Sequence, residues 1–205
     1  MKNGIPFSHS IDNRNMEERA LETLKSMLTD RGIKSEKFEQ VGNPLDETRM
    51  YTFGGILIVF SEKTRLTPSE FKNIIAYASE NNHTSGTIII TLSKAPESVI
   101  DLIRQHVANK DNFLVQLFYI SHLNFDISKH RKVPKHKLLT QDETTKLMKQ
   151  YNIENLKELP KIDSQDAMAR WIGARPGDVV EIVGLCVSSG DNKRYRYCVP
   201  NVYEL

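Results

Sequence analysis

The residues of this chain that could do chemistry begin with the carboxylate of Asp46 and the adjacent pair Glu62 and Lys63. A metal-dependent nuclease site needs a carboxylate from one strand and then an Asp or Glu two residues before a Lys on the next strand, so that these groups converge on magnesium. The position two before Lys63 is Ser61, and Glu62 would point to the opposite face of a strand. The spacing therefore argues against cleavage, and a metal-dependent nuclease is kept as an alternative hypothesis.

Other sites for a metal or cofactor have weak support. His130 and His136 are the only close pair among six histidines, and their spacing, with a proline between them, is not that of zinc ligands. Cys186 and Cys198 stand alone, as small core cysteines do in a reducing compartment. Gly54-Gly55 precedes a predicted strand, whereas a phosphate loop joins a strand to a helix. We expect no metal and no cofactor.

A basic run from Lys129 to Lys137 is the most informative stretch of the chain. Seven of its nine residues are Lys, Arg or His, none is acidic, and Val133-Pro134 lies in the middle. Because proline fixes its own φ and pushes the preceding residue toward extended geometry, we predict an extended segment. Such a run is often a solvated face. Alternatively, its edge offers unpaired backbone groups to a partner strand, with Val133, Pro134 and Leu138 as apolar anchors.

The sequence that contains this run and follows it predicts a small α+β domain over residues 125–205. Thr140 and Glu143 form a capping box that begins a helix. Asp163 or Ser164 is predicted to cap a second, short helix, which Gly173 ends. A type II turn and two strands are predicted after it, at residues 175–178, 179–183 and 195–199, with a turn over 188–192 between the strands.

Residues 1–124 predict a separate three-layer α/β domain. Continuous apolar runs at 56–60 and 87–91 indicate strands buried on both faces, and a third strand is predicted at 113–120. A capping box at Thr67–Glu70 begins the helix between the first two strands, and a helix over 96–108 precedes the third. The opening helix is predicted over residues 16–31, with Asn15 and Glu18 as its cap and Gly32 at its end.

The charge of the chain limits its partners. Residues 1–124 carry 14 basic and 15 acidic residues, and residues 125–205 carry 14 and 11. A dedicated nucleic-acid-binding domain is strongly basic, so any contact with DNA must be local or delegated to a larger assembly. No apolar run reaches the length of a bilayer span, and the first residues lack an apolar signal region, so we expect no membrane partner.

A set of motifs in the last third of the chain carries a family resemblance. The set is His130, Val133, Pro134, His136, Leu138-Leu139, Leu159-Pro160, Asp166, Ala169-Arg170-Trp171, Gly173, Gly177, Val179-Val180 and Ile182. In this order it resembles the carboxy-terminal domain of the subunit of multisubunit DNA-directed RNA polymerases that is number five in eukaryotes and H in archaea. The resemblance implies a non-catalytic assembly domain that docks on the largest subunit. It implies partner-binding roles for His130, Val133, Pro134, His136, Leu138 and Arg170.

The first 124 residues are more loosely similar to the jaw domain of the eukaryotic subunit, which has a nuclease-like fold. The similarity covers the helix end at residues 27–32, Tyr77 and Asn81. It implies a lower jaw beside downstream duplex DNA, for which Lys63, Arg65, Lys72 and Lys94 are the DNA-proximal candidates. Because archaeal members lack this domain, the resemblance implies a eukaryotic or viral member, located in the nucleus if cellular, or in host cytoplasm and virion if viral. A transcription-associated adaptor with the same fold is a further alternative.

Overall fold

The structure is a computed structural model that describes residues 13–42, 45–63, 65–83, 85–186 and 190–202. The strands within these residues form two sheets, a five-stranded sheet from residues 39–119 and a four-stranded sheet from residues 135–199. Helices accompany both sheets, so the predicted mixed α/β class is confirmed. No helix in the described ranges is both long and apolar enough to cross a membrane.

The first sheet has the order β1-β2-β3-β4-β5. Its strands are Glu39–Val41, Thr48–Phe53, Ile56–Ser61, Thr87–Thr91 and Val115–Tyr119, and its helices are α1 (Asn13–Asp30), α2 (Pro68–Glu80) and α3 (Glu97–Ala108). β1, β2 and β3 pair antiparallel, whereas β3, β4 and β5 pair parallel. Every residue of β3 and β4 is buried, as expected for strands covered on both faces.

Helices cover both faces of this sheet. Ile56, Ile58 and Phe60 of β3 pack with α1 on one side, whereas Leu57 and Val59 pack with α2 and α3 on the other. Successive side chains of a strand point to opposite faces, so one continuous apolar run supplies two cores. The predicted three-layer arrangement is confirmed.

Two details of this half differ from the predictions. The predicted cap at Asn15 is wrong, because α1 already begins at Asn13. The β1–β2 pair was not predicted, and β2 continues into β3 through Gly54-Gly55, with φ of +56° and +85°. Both angles lie in the left-handed region that a tight hairpin of this kind requires. A Cβ on Gly54 would lie 2.4 Å from Ile33 Cγ2, so the turn is also packed too closely for a side chain.

The second sheet has the order β6-β8-β9-β7. Its strands are β6 (Lys135–Leu138), β7 (Lys161–Asp163), β8 (Val179–Cys186) and β9 (Gly190–Val199), accompanied by α4 (Gln141–Tyr151) and α5 (Ala167–Ile172). Short 3-10 helices lie at Ile120–Leu123, Ile127–Lys129 and Leu156–Glu158. β6 and β7 form the two edges of this sheet.

Most of the helix caps, turns and strands that were predicted for the second half are confirmed. Thr140 and Glu143 form the predicted capping box, and Gly173 ends α5 with φ of +74°. The cap of α5 is a correction: Asp166, not Asp163 or Ser164, accepts hydrogen bonds from the N–H groups of Met168 and Ala169 at 2.8 and 3.2 Å. The turn predicted over 188–192 lies partly outside the described residues, and β9 already begins at Gly190.

The hydrophobic core crosses the predicted boundary between residues 124 and 125. Met168 and Trp171 of α5 are 9% and 3% exposed, and both belong to the same cluster as α1 and one face of the first sheet. Val133 and Ile172 pack against that cluster from outside. The two halves therefore share buried apolar surface, although the boundary itself stays a prediction.

Candidate partner-docking surface

The edge strand β6 has backbone hydrogen-bonding groups on its outer side with which no other strand of the described residues pairs. Lys137 lies opposite Glu181 of β8, and the N–H of Leu139 donates to the carbonyl of Val179 at 3.0 Å. Because hydrogen-bonded and non-bonded pairs alternate along an antiparallel ladder, the N–H and C=O groups of His136 and Leu138 point away from β8. Among the described residues no strand pairs with that side. Such an edge can accept a strand from a partner.

A groove of about 570 Å³ lies beside this edge. One wall consists of residues 134–138, and the other consists of Met168, Trp171 and Ile172 of α5. Asp30 and Arg31, from the end of α1, complete it. The indole N–H of Trp171 donates to the carboxylate of Asp30 at 3.1 Å, which fixes the floor of the groove. An apolar side chain of a partner strand would fit between β6 and α5.

The prediction that residues 129–137 form one extended segment is wrong. Only residues 135–138 form a strand, because a 3-10 helix ends at Lys129 and the N–H of Val133 donates to the carbonyl of His130 at 2.8 Å to close a turn. This turn carries Arg131 and Lys132, which are exposed and make no ion pair among the described residues. The hydrogen bond closes the turn over Arg131 and Lys132, so the extended geometry begins only after Pro134.

The structure brings three of the six predicted partner-binding residues to this groove. Pro134, His136 and Leu138 line the groove, and the Nδ1 of His136 lies 2.8 Å from the carbonyl oxygen of Pro134. Val133 is half-buried against the protein's own core. His130 is exposed beyond the end of the groove, where its Nδ1 accepts the N–H of Lys132 at 3.3 Å. The roles of these residues in binding stay predictions.

Arg170 lies elsewhere, at the seam between the two halves. Its Nη1 donates to the carbonyl of Leu117 at 2.6 Å, and its guanidinium lies 4.9 Å from the ring centroid of Phe118. Burial is the main cause that lowers the pKa of this side chain. The structure thus gives Arg170 a contact within the chain, and its predicted role at a partner subunit stays a prediction.

A second half-buried arginine, Arg31, also joins the two halves, and no sequence pattern had predicted this role. Its guanidinium donates to the carbonyl of Trp171 at 2.8 Å, to the carbonyl of Arg170, and to Oε1 of Gln116 at 2.7 Å. Burial lowers the pKa of Arg31 to about 10. Arg175 adds a third contact across the seam, from its Nη1 to the carbonyl of Asn112 at 2.8 Å. Three guanidinium groups therefore join the halves through backbone carbonyls.

The four DNA-proximal candidates lie on the first half near the carboxyl ends of β3 and β4. Arg65, Lys72 and Lys94 are exposed and have no ion pair within the described part of the chain. Lys63 differs, because its ammonium pairs with Glu70 at 2.5 Å and with Glu47 at 3.4 Å. A hydrogen bond to Glu70 is the main cause that raises the pKa of Lys63.

Of the residues considered for a nuclease, all but Glu62 line a pocket of about 260 Å³, and the carboxylate of Glu62 pairs with Arg49 at 2.7 Å instead. Asp46, Ser61 and Lys63 all border it, but Lys63 is held by Glu70, which also serves in the capping box of α2. Across the described ranges no group of three His, Cys, Asp or Glu side chains is placed to share a metal ion.

Comparisons with known proteins match the second half of the chain most strongly. A family model for the C-terminal domain of RNA polymerase Rpb5 matches residues 125–198. The chain is 40% identical over 74 residues to the DNA-directed RNA polymerase subunit Rpo5 of Sulfolobus acidocaldarius, covering 87% of that protein and 36% of this chain. It is 38% identical over 77 residues to Rpo5 of Archaeoglobus fulgidus, covering all of that protein and 38% of this chain.

A longer relative also matches part of the first half. DNA-directed RNA polymerase V subunit 5A of Arabidopsis thaliana is 28% identical over 127 residues, which is 62% of this chain and 54% of that protein. The chain thus matches about half the length of that subunit. Since two relatives above 30% identity are covered almost completely, the chain belongs to the family of DNA-directed RNA polymerase subunits that includes Rpb5 and Rpo5.

Proposed function

We propose that the chain is a non-catalytic subunit of a DNA-directed RNA polymerase and that residues 125–205 dock it on the largest subunit. The observation that carries this proposal is the unpaired outer edge of β6, which lies beside a groove lined by residues of the family motif. Strand addition at such an edge gives affinity through main-chain hydrogen bonds and specificity through side-chain pockets.

The charge of this region defines the segment that would dock there. Arg131, Lys132 and Lys135 are exposed around the groove, and no carboxylate among the described residues pairs with them. The complementary segment is therefore an extended stretch with acidic side chains and one apolar anchor. Complementary charge raises the association rate and fixes the register of the added strand.

The first half would form part of the lower jaw near downstream duplex DNA. In support, Arg65 follows β3 and Lys94 follows β4, and parallel strands end at the same edge of a sheet. Neither cation makes an ion pair among the described residues, so both can meet phosphate, whereas Lys63 would first have to leave Glu47 and Glu70. The assembled enzyme would supply the duplex at high local concentration, so a few weak contacts would be enough.

Native purification of a tagged full-length chain, followed by mass identification of its partners, tests the proposal. We expect co-purification with polymerase subunits, including two chains several times larger than this one. Purification of the chain alone, or with transcription factors but no polymerase subunit, would reject it in favour of the adaptor. The same preparation, fractionated from nuclei or from cytoplasm and virions, tests the proposed localisation with the polymerase.

A further inference from the structure

The second sheet has one face turned toward α5 and one turned away from it. Val180 and Ile182 of β8 pack with Ala169 of α5, and successive side chains of a strand point to opposite faces. The other face therefore carries the alternate residues of β8 and the residues paired with them on β6 and β9. They form two rows across the strands, one of Lys137, Glu181 and Tyr195 and one of Lys135, Val183 and Lys193. We call these six residues, together with Tyr151 of α4, the tyrosine–lysine face.

Two aromatic rings meet on this face. Tyr151 is 54% exposed, and its ring centroid lies 5.8 Å from that of Tyr195, with the two planes tilted by 58°. The hydroxyl of Tyr195 donates to the carboxylate of Glu181 at 3.1 Å, which holds the inner ring in place. An exposed ring supported from beneath in this way is a platform on which the base of a nucleotide can stack.

The charges of this face are arranged with the cations outward. The side chains of Lys137 and Lys193 are 57% and 58% exposed, whereas the side chain of Glu181 between them is 15% exposed. Lys193 pairs with Glu181 at 3.6 Å, and Lys137 pairs with Glu143 of α4 at 2.6 Å. Lys135 is exposed and makes no ion pair among the described residues. The face therefore presents ammonium groups to solvent beside an open aromatic ring.

Two basic segments that are far apart in the sequence meet here. Residues 129–137 hold five Lys or Arg and no Asp or Glu, and residues 190–197 hold three Lys or Arg and one Asp. The strand order β6-β8-β9 leaves only β8 between them. A Cβ on Gly184 of β8 would lie 3.3 Å from Nη2 of Arg194 and 3.8 Å from Cβ of Pro134, so a cation of β9 reaches the turn before β6. The folded chain thus concentrates positive charge that its near-neutral total conceals.

We propose that the tyrosine–lysine face binds single-stranded nucleic acid, with a base stacked on Tyr151 and phosphates contacted by Lys135, Lys137 and Lys193. Cations combined with an accessible ring are what an unpaired strand requires, since its bases are free to stack. A duplex keeps its bases within its own stack, and an acidic peptide would match the lysines but leave the ring unused. Because this face and the groove beside β6 lie on opposite sides of the sheet, strand addition at β6 would leave the face open.

Fluorescence anisotropy of a labelled oligothymidylate of about 12 nucleotides, titrated with the full chain at several salt concentrations, tests the proposal. The logarithm of the affinity should fall against the logarithm of salt with a slope of about −2, as for three phosphates neutralised on a single strand. Lys193→Gln should make this slope shallower by about 0.7. Tyr151→Ala should weaken binding roughly tenfold with an unchanged slope, and Tyr151→Phe should keep the native affinity.

Phe125→Ala is the matched control. Phe125 is 62% exposed but does not belong to the tyrosine–lysine face, so its loss should change neither the affinity nor the slope. Melting curves of all variants establish that they are folded. Native affinity in Tyr151→Ala, an equal loss in Phe125→Ala, or a slope that Lys193→Gln leaves unchanged would overturn the proposal.

Two competitors distinguish the proposed ligand from other anionic polymers. A DNA duplex and a polyglutamate peptide are each added to the complex of the full chain with the labelled oligonucleotide. Unlabelled single strand should displace the label at lower concentration than either competitor. Tighter binding of duplex that Tyr151→Ala does not affect would overturn the proposal. Binding of polyglutamate with no binding of the oligonucleotide would also overturn it and assign the face to an acidic protein segment.

Discussion

At the scale of single residues, the seam between the halves depends on a guanidinium group that bonds to backbone carbonyls. Arg31 serves two carbonyls of α5 and the side-chain oxygen of Gln116 in β5. Removing one partner from a buried hydrogen bond leaves the other unsatisfied and costs about 1–3 kcal/mol for each group. Loss of this one side chain therefore leaves the carbonyl of Trp171 and Oε1 of Gln116 without a donor among the described residues, whereas the carbonyl of Arg170 still accepts from Nε2 of Gln116 at 3.0 Å.

Arg31→Met should lower the free energy of unfolding by about 3 kcal/mol, since it keeps the aliphatic stem but leaves those acceptors unpaired. Urea unfolding at neutral pH measures the change. Arg65→Met is the control, because Arg65 is exposed and has no ion pair among the described residues, and it should change stability by less than about 0.5 kcal/mol. Equal small effects of both variants would contradict the role of Arg31.

Asp126 predicts an acid-dependent loss of stability. Burial alone would raise the pKa of its carboxyl, but hydrogen bonds from Ser128 and Ser26 and the charge of Lys129 lower that pKa to about 2. A depressed folded-state pKa contributes stability above the unfolded value near 3.8, and this contribution is lost as pH falls toward about 2. The contribution is on the order of 2 kcal/mol, since one pKa unit corresponds to about 1.4 kcal/mol.

Asp126→Asn should therefore be less stable than the native chain at pH 7 by about 2 kcal/mol, with the difference shrinking between about pH 4 and pH 2. Urea unfolding across this range gives the comparison. A difference that stays constant with pH would show that packing, not the ionised carboxylate, is what the substitution removes.

The contacts that arginines make between the two halves could not be predicted from the sequence. Arg31 and its acceptor at Trp171 are 140 residues apart, and nothing in the local text of either position specifies the other. By contrast, the capping boxes at Thr67 and Thr140 depend on residues three positions away, so the sequence predicted both. Local hydrogen bonds can be predicted from spacing, whereas contacts between halves depend on how the layers stack.

At the scale of elements, β6 is an edge strand. Its outward hydrogen-bonding groups can be removed by substitution while its hydrogen bonds to β8 are kept. The N–H of His136 points away from β8, so a proline there removes an outward donor and no ladder bond. Val133 is a poorer choice for such a test, because it packs on the protein's own core. His136 is therefore the position at which strand addition can be blocked most selectively.

His136→Pro should reduce recovery of the largest polymerase subunit about tenfold in native purification, as expected for lost main-chain hydrogen bonds and a clash at the edge. His136→Ala is the matched control, since it removes the ring but keeps the N–H, and it should assemble more nearly as the native chain does. Melting temperatures of both variants should stay close to that of the native chain. Normal assembly of His136→Pro would exclude strand addition at β6.

Strand β2 and its hairpin with β3 were not predicted, although the sequence contains a signal for them. Gly54-Gly55 stands directly between two strands, and two glycines in that position are a strong hairpin signal. The same dipeptide was considered only as a phosphate loop. The short β1 itself, three residues with little burial, carries no comparable pattern and becomes a strand only because β2 offers it an edge.

At the scale of the whole molecule, side chains of α5 in the second half are buried in the hydrophobic core of the first half. The single tryptophan of the chain, Trp171, is 3% exposed within the cluster that α1 and the first sheet form. The family model for the C-terminal domain of Rpb5 matches residues 125–198, which lie within this second half. In isolation it would expose the face of α5 that the first half covers here.

A fragment of residues 125–205 should therefore fold but show red-shifted Trp171 fluorescence relative to the full chain. Addition of a fragment of residues 1–124 should shift the emission back and raise the melting temperature, because the apolar face of α5 is buried again. The experiment compares emission maxima and melting curves of the fragments, alone and mixed. An isolated fragment whose emission equals that of the full chain would mean that the first half does not shield Trp171.

We expect the first half to stabilise the complex of the polymerase with downstream DNA and to have no part in phosphodiester synthesis. Polymerase lacking residues 1–124 of this subunit should keep phosphodiester synthesis but form shorter-lived complexes on downstream DNA. The difference should shrink as salt rises, because contacts between cations and phosphate weaken with salt. Complex lifetime against salt, for both enzymes, gives the measurement. Equal lifetimes at every salt would leave the first half with protein contacts alone.

The groove beside β6 is built by residues from both halves of the chain, with Asp30 and Arg31 from the first half and residues 134–138 and α5 from the second. A segment that binds there more tightly when the halves are packed must stabilise that packing by the same factor, because coupling between two equilibria is reciprocal. Copies whose first half is misplaced would then be incorporated less often. Assembly would therefore select copies in which the two halves are correctly packed. Substitutions in α1 would lower the abundance of assembled polymerase even though they leave the docking strand β6 itself unchanged.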